Sequence, residues 1–410
     1  MSRLFSPLGL RSLTIPNRIV KSAMAEGACD ADGVPSDRLA RMYERWARGG
    51  VGLAITGMAH VIRGHGFTGH EIGLYDDRAI DALRETTGRV HAAGGRIVAQ
   101  LCHADPQIRR ATVLRQGAVA PTGGFSRTHF HWNRTATDAE IHAIIEAFAG
   151  AAARAGRAGF DGVQLHAAHG YFLSRSISPK HNRRRDRWGG SFHGRSAVLL
   201  ESVRAVRGAV GPDVPVLVKL NAHDGIERGG LQIEEAIRLA QRLEENGVDA
   251  IEVSAGTADV GMGIYPNRGE LPFDIGRTYL AGEFPFLRPV LPFLPWIARS
   301  IERSVAFREE AYFAPLAERF ARALRIPVIC VGGVRSLRTA EALLERGIAM
   351  ISLARPLVRQ PSLPRAWKSG REVEAQCISC NRCFVQLGLE QPLRCWQRDK
   401  TMRRPIRATP

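Results

Sequence analysis

The 410-residue sequence contains no run of 18 uncharged apolar residues, and its first twenty residues lack the apolar core of a secretory signal. No transmembrane segment is expected, and the protein is expected to be cytoplasmic. Acid is in deficit: 40 Asp and Glu stand against 57 Lys and Arg, a net charge of +17. Such an excess raises the question of a nucleic-acid partner. The arginines, however, are scattered along 41–48, 204–207 and 319–325, and the densest basic cluster, "HNRRRDRWGG" at 181–190, is interrupted by Asp186. A solvated basic surface that attracts phosphate-bearing ligands is expected, not a nucleic-acid partner. Cysteine is scarce too. Seven residues, an odd number, with four bunched after residue 376, do not make a secreted disulfide framework.

What is present is alternation. Apolar, β-rich runs occur at 18–23, 51–57, 96–101, 162–167, 216–221, 250–254, 327–333 and 350–354. Amphipathic segments with helical spacing separate them at 36–48, 78–92, 138–156, 194–208, 233–246, 311–324 and 336–346. Eight near-continuous apolar strands interleaved with helices predict a parallel sheet closed into a (β/α)8 TIM barrel, with a doubly wound open sheet as the other arrangement. Residues 1–370 are expected to form the barrel. Within them, 255–310 is a long loop after strand six, apolar but broken by prolines in "FPFLRPVLPFLPWIARS". It reads as a lid or pocket wall, or as an outer hairpin at a subunit contact in a homo-oligomer. Residues 371–410 form a short C-terminal extension carrying the cysteines.

In a barrel the strand C-termini and the loops after them make the active face. Ala25, Glu26, Gln100, His103, His166, His169, Lys219, Asn221, Gly332, Gly333 and Arg355 all fall there. The stretch "GFDGVQLHAAHGYFLSRSISP" places His166, His169 and Tyr171 at one strand end. Two imidazoles could ligate a metal, but no H-E-x-x-H partner is visible. They could equally donate hydrogen bonds to a substrate oxygen, with Tyr171 supplying a proton. The glycines of "VICVGGVRS" let backbone N–H groups approach an anion, and Arg355 of "ISLARPL" would favour a phosphate.

Taken together, "LTIPNRIVKSAM", "GGVGLAIT", "AQLCHA", "VDAIEVSAG", "PVICVGGVRS" and above all "AGFDGVQLHAAHGYFLSRSISPKHNRRRDRWGGS" resemble the old yellow enzyme superfamily, the FMN-dependent NADH:flavin oxidoreductases. The resemblance covers nearly the whole chain to about residue 370. It implies that Ser22, Ala23 and Met24 line the flavin, that Gln100 hydrogen-bonds its pyrimidine edge, and that Lys219 sits beside N1 and O2. Gly332, Gly333, Ala354 and Arg355 would hold the FMN phosphate. His166 and His169 would bind the electron-withdrawing group of a substrate, and Tyr171 would donate the proton. Three positions depart from the family pattern: Lys219 replaces the usual arginine, Ala25 replaces a cysteine or threonine, and Ala354 replaces a glycine.

Cys377, Cys380, Cys383 and Cys395 resemble the motif by which the dienoyl-CoA reductase and trimethylamine dehydrogenase branch binds a [4Fe–4S] cluster. Zinc and free thiols remain the alternatives for these four. That branch carries further domains that pass electrons onward, so an electron-transfer partner protein is an expectation here. The activity implied is reduction of activated alkenes, such as enones or enoyl thioesters, at the expense of NAD(P)H. Alternatives are an amine dehydrogenase or demethylase that passes electrons through the cluster, and a flavin- or metal-binding regulatory protein that is not an enzyme.

Overall fold

The computed structural model describes residues 2–66, 69–105, 117–126, 131–257, 309–371, 373–383, 387 and 391–397. Eight parallel strands follow in chain order: β1 (Ile19–Lys21), β2 (Leu53–His60), β3 (Arg96–Cys102), β4 (Gly162–Ala167), β5 (Val216–Asn221), β6 (Ala250–Ser254), β7 (Val328–Val331) and β8 (Met350–Leu353). Because β8 pairs with β1 and β1 with β2, the ring closes and the fold is a (β/α)8 barrel. The open-sheet alternative is thereby removed.

Side-chain alternation along each strand explains what fills the barrel. Val20, Leu53, Ile55, Val98, Leu217, Ala250, Ile329 and Met350 point inward as one apolar layer. Leu10 and Ile15 join it from an antiparallel hairpin, Leu8–Leu10 with Leu13–Ile15, which plugs the N-terminal mouth. Two residues further along the same strands the inward positions become polar: Ser22, Gln100, Lys219, Glu252 and Ser352. The floor is therefore dry and its upper layer is built for chemistry.

Outside lie α1 (Asp37–Arg48), α2 (Ile80–Ala92), α3 (Asp138–Arg157), α4 (Phe192–Val210), α5 (Ile233–Glu245), α6 (Ala314–Ala323), α7 (Leu337–Glu345) and α8 (Leu363–Lys368). Helix α1 buries Leu39, Tyr43 and Trp46, spaced to share one face. Helix α3 starts in a capping box, with Thr137 Oγ1 accepting from the Glu140 N–H and the Glu140 carboxylate accepting from the Thr137 N–H. Helix α8 returns against α1, where the Arg365 N–H donates to the Gly49 carbonyl at 3.0 Å.

The basic cluster at 181–190 serves as a clasp. Asn182 Nδ2 donates to the carbonyls of Ser176 and Trp188, both at 2.7 Å, and Arg184 Nη1 donates to those of Pro121 and Ala136. Asp186 receives the Arg184 guanidinium, and Trp188 Nε1 donates to Asp138 at 2.6 Å. Much of this cluster's charge is thus spent on tying the β4 loop to the start of α3.

Of the 255–310 loop, only 255–257 and 309–310 fall among the described residues, so the lid expectation lies outside them. The C-terminal extension packs on the active face: the Ala375 N–H donates to the Arg335 carbonyl at 2.9 Å and the Leu393 N–H to that of Glu26 at 2.7 Å.

Candidate active site

A cleft of about 1300 Å3 opens at the C-terminal ends of the strands. Every residue assigned above to flavin or substrate lines it. Ser22, Ala23 and Met24 come from the end of β1, Gln100 from β3, His166, His169 and Tyr171 from the end of β4, and Lys219 from β5. Gly332, Gly333, Ala354 and Arg355 close the side formed by β7 and β8.

The floor of the cleft is a charged network centred on Glu252, which the strand register places directly opposite Lys219. Lys219 Nζ lies 3.3 Å from Glu252 Oε2 and donates to Ser22 Oγ at 3.3 Å. Glu252 also accepts from Ser22 (2.9 Å), Ser352 (2.8 Å) and Gln164 (3.0 Å), and Gln164 in turn accepts from Gln100 Nε2 at 2.7 Å. Complete burial pushes the Glu252 carboxyl up, but the Lys219 ammonium and the three donors outweigh it and hold the pKa below the usual value. Glu252 stays ionised and supplies a counter-charge to Lys219 at the bottom of a buried pocket.

Above this floor stand the two imidazoles. Their rings meet edge to face with centroids 5.0 Å apart, and the Tyr171 ring lies 4.9 Å from that of His166. The Ala168 N–H donates to His166 Nδ1 at 3.3 Å, which leaves the ring proton on Nε2. His169 sits at φ 64°, a left-handed conformation that histidine tolerates better than most side chains. Its N–H donates to Asn221 Oδ1 at 3.3 Å, and its Nε2 lies 2.7 Å from Ser254 Oγ. Burial lowers the His166 pKa well below its ordinary value, helped by His169 and Lys219. Burial and Lys219 lower that of His169 to about 3. Both rings are neutral near pH 7, so they offer hydrogen bonds without a charge.

The glycine pair after β7 is required by its surroundings. Gly332 and Gly333 have φ of 120° and 77°, and a Cβ on either would lie 2.7 Å from the Tyr312 ring. Tyr312 reaches the cleft from just beyond the long loop and stands beside Arg355. The Arg355 guanidinium donates to Asn381 Oδ1 of the C-terminal extension.

That contact leads to a second, smaller cavity of about 330 Å3, lined by Cys377, Cys380, Cys383 and Cys395 with Arg355, Asn381 and Trp396. All four thiols are free. Between them Ser379 and Asn381 adopt φ of 56° and 55°, and the Ser379 N–H points at Cys377 Sγ, 3.4 Å away. Burial, reinforced by the other three sulfurs against the pull of Arg355, raises the Cys383 thiol to about 12. Cys383, Asn381 and Arg355 line both cavities, so the two share a wall.

Three residues singled out on the active face, Glu26, His103 and Asn221, do not line the cleft. Glu26 lies behind it, 3.0 Å from the buried Lys21 ammonium, and accepts from the Tyr43 hydroxyl and from the Gly57 N–H at 2.9 Å. His103 is also outside. Conversely, Gln164, Glu252, Ser254 and Ser352 belong to the site or its floor and were not picked out from sequence. A signal for three of them exists. Counting in twos from the inward Ala250 of β6 and Met350 of β8 arrives at Glu252, Ser254 and Ser352.

Comparison with known proteins identifies the family. A profile of the NADH:flavin oxidoreductase / NADH oxidase family matches residues 3–262. The 4,4'-dithiodibutanoate disulfide reductase of Rhodococcus erythropolis is 33% identical over 390 residues, covering 93% of this chain and 92% of that protein. The NADH oxidase of Thermoanaerobacter brockii is 35% identical over 384 residues, 92% of this chain, which spans only 52% of that relative's length. Among solved structures, the 2-naphthoyl-CoA reductase complex superposes with a TM-score of 0.81 at 22% identity, over 96% of this chain and 56% of that one, a likeness of fold. Family, barrel and cleft agree: the chain belongs to the NADH:flavin oxidoreductase / NADH oxidase family, whose members are NAD(P)H-dependent flavin oxidoreductases.

Proposed function

We propose that this chain is an FMN-dependent reductase that takes electrons from NAD(P)H and delivers them to an electron-poor substrate, an activated alkene such as an enone or enoyl thioester. The observation that carries the reading is the convergence of every flavin and substrate residue on one cleft above a buried Lys219–Glu252 pair. The cleft suits FMN in three respects. The left-handed Gly332–Gly333 turn leaves backbone where a phosphate approaches, with Arg355 beside it. Gln100 presents an amide, and Lys219 presents a cation where negative charge would develop. When bound, the flavin supplies hydride chemistry.

The protein's own residues then have defined tasks. His166 and His169, kept neutral by burial, hydrogen-bond the substrate's carbonyl oxygen and withdraw electron density from its alkene. Tyr171, packed among Met58, Cys102, Ala104 and Ala118, holds the proton that reaches the α-carbon. Tyr171→Phe should lower single-turnover alkene reduction by about 10²-fold or more while NAD(P)H oxidation stays near wild type. Unchanged alkene reduction in that variant would remove the proton-donor role.

The four cysteines are proposed to hold a [4Fe–4S] cluster. Cys377, Cys380 and Cys383, each separated from the next by two residues, with the more distant Cys395, suit a cuboidal cluster, and all four line one cavity. The wall of Arg355, Asn381 and Cys383 shared by the two cavities favours a second reading, amine oxidation, in which the cysteines would hold a cluster able to supply electron transfer to a separate carrier protein. Formaldehyde released from N-methyl substrates without NAD(P)H consumption would establish that direction.

A further inference from the structure

At the C-terminal ends of β2 and β3, beside the cleft but outside its lining, five ionisable side chains crowd together: His60, His65, Glu71, His103 and Asp105. One ligand atom from each of His65, His103 and Asp105 lies within 4.8 Å of the others. None of these three lines the flavin cleft or the cysteine cavity. We propose that His65, His103 and Asp105 form a binding site for a divalent cation of the borderline class, such as Zn2+.

The strongest observation is His103. It is 2% exposed, and among the described residues neither of its ring nitrogens has a hydrogen-bond partner. A buried imidazole without partners costs stability, so an unsatisfied pair of nitrogens needs a physical reason. His60 stands beside it in the same condition. It is 4% exposed with neither nitrogen hydrogen-bonded, and its Nε2 lies 3.5 Å from Glu71 Oε2. A cation would satisfy what the protein leaves unsatisfied.

The donor set suits the class. Two imidazole nitrogens and one carboxylate oxygen are the ligands that zinc and its neighbours take in three-residue sites, with water or a further side chain completing the shell. Asp105 is fully buried, and its Oδ2 is fixed by the Val119 N–H at 2.8 Å, the kind of outer contact that orients a ligating carboxylate.

His65 completes the site and supplies its entrance. Its side chain is 20% exposed, and its Nδ1 lies 2.9 Å from Asp105 Oδ1. Ligation replaces that hydrogen bond by two metal bonds and draws the atoms to about 3.3 Å apart at the usual 2.0–2.1 Å bond length. The His65 and His103 rings already lie with centroids 5.0 Å apart, tilted at 46° to each other. The site would also stiffen the neighbourhood of Tyr171. The His103 carbonyl accepts from the Phe172 N–H at 3.3 Å, and its ring packs against that of Phe172 with centroids 5.3 Å apart.

The test uses full-length protein stripped with a chelator and titrated with Co2+, because the cysteines could bind the same ion. Thiolate–cobalt coordination gives charge-transfer absorption in the near ultraviolet, whereas nitrogen and oxygen ligands give visible ligand-field bands alone. Wild type should take up one equivalent of Co2+ without thiolate absorption, and Zn2+ should displace it. His103→Ala and His65→Gln should weaken that binding at least tenfold. The His65 change is at a partly exposed position and spares the fold, so it decides the matter if His103→Ala is unstable, with circular dichroism as the check. Absence of thiolate-free Co2+ binding in wild type, or its persistence in His65→Gln, overturns the site.

Discussion

Glu252 lies at 0% exposure with four side chains directed at it, and that placement makes it the most consequential single residue outside the proposed catalytic set. Glu252→Gln keeps the shape but leaves the Lys219 ammonium buried without a counter-charge. It should cost about 3–5 kcal/mol of stability, read from urea unfolding, and should weaken flavin retention. The imidazoles predict a pH effect. His169 has a folded pKa near 3, and His166 lies well below the ordinary 6.5. Both folded values are depressed relative to the unfolded chain. The stability they permit is complete above about pH 6.5 and is lost as pH falls toward 3, because the unfolded chain takes up protons that the folded chain refuses. His169 alone gives a loss of about 1.4 kcal/mol per pH unit near pH 5, and His166 adds in the same direction, measurable as a falling urea midpoint between pH 7 and pH 5. Among these residues the histidines and Tyr171 were legible because they form a compact motif. Glu252 was not, because a glutamate in "AIEVS" reads as a surface position until the barrel turns it inward.

At the level of elements, the turn after β7 has no room for a side chain. Gly333→Ala introduces a Cβ at positive φ and within 2.7 Å of the Tyr312 ring. Flavin content of the purified variant should fall severalfold, while the far-ultraviolet circular dichroism of the barrel is retained. The start of α3 supplies a contrast. Thr137→Ala removes one half of a capping box far from the cleft and should cost about 1 kcal/mol in thermal or urea unfolding, with turnover unchanged. Strand and helix positions were legible to within a few residues because hydrophobic periodicity and capping chemistry are local signals. The clasp at 181–190 was not, since the partners of Arg184 and Trp188, namely Pro121, Ala136 and Asp138, are some fifty to sixty residues distant in sequence and become neighbours only when β3 and β4 pair.

For the whole molecule, the barrel and the C-terminal extension meet at Arg355, Asn381 and Cys383, and this joint carries the remaining prediction. Anaerobically purified protein should contain about four irons per chain with matching acid-labile sulfide. Cys395→Ser should lower both, whereas a cysteine set that binds nothing would leave the wild type free of iron. The (β/α)8 class, the C-terminal placement of the active face and the histidine–tyrosine motif were determined by the sequence itself, because each rests on short-range spacing that survives in one dimension. The pairing of Lys219 with Glu252, the neutrality of the imidazoles, the cavity shared by four cysteines and the buried group of His65, His103 and Asp105 were decided by tertiary structure alone. Each depends on desolvation and on distances between strands, and closing the ring is what creates both.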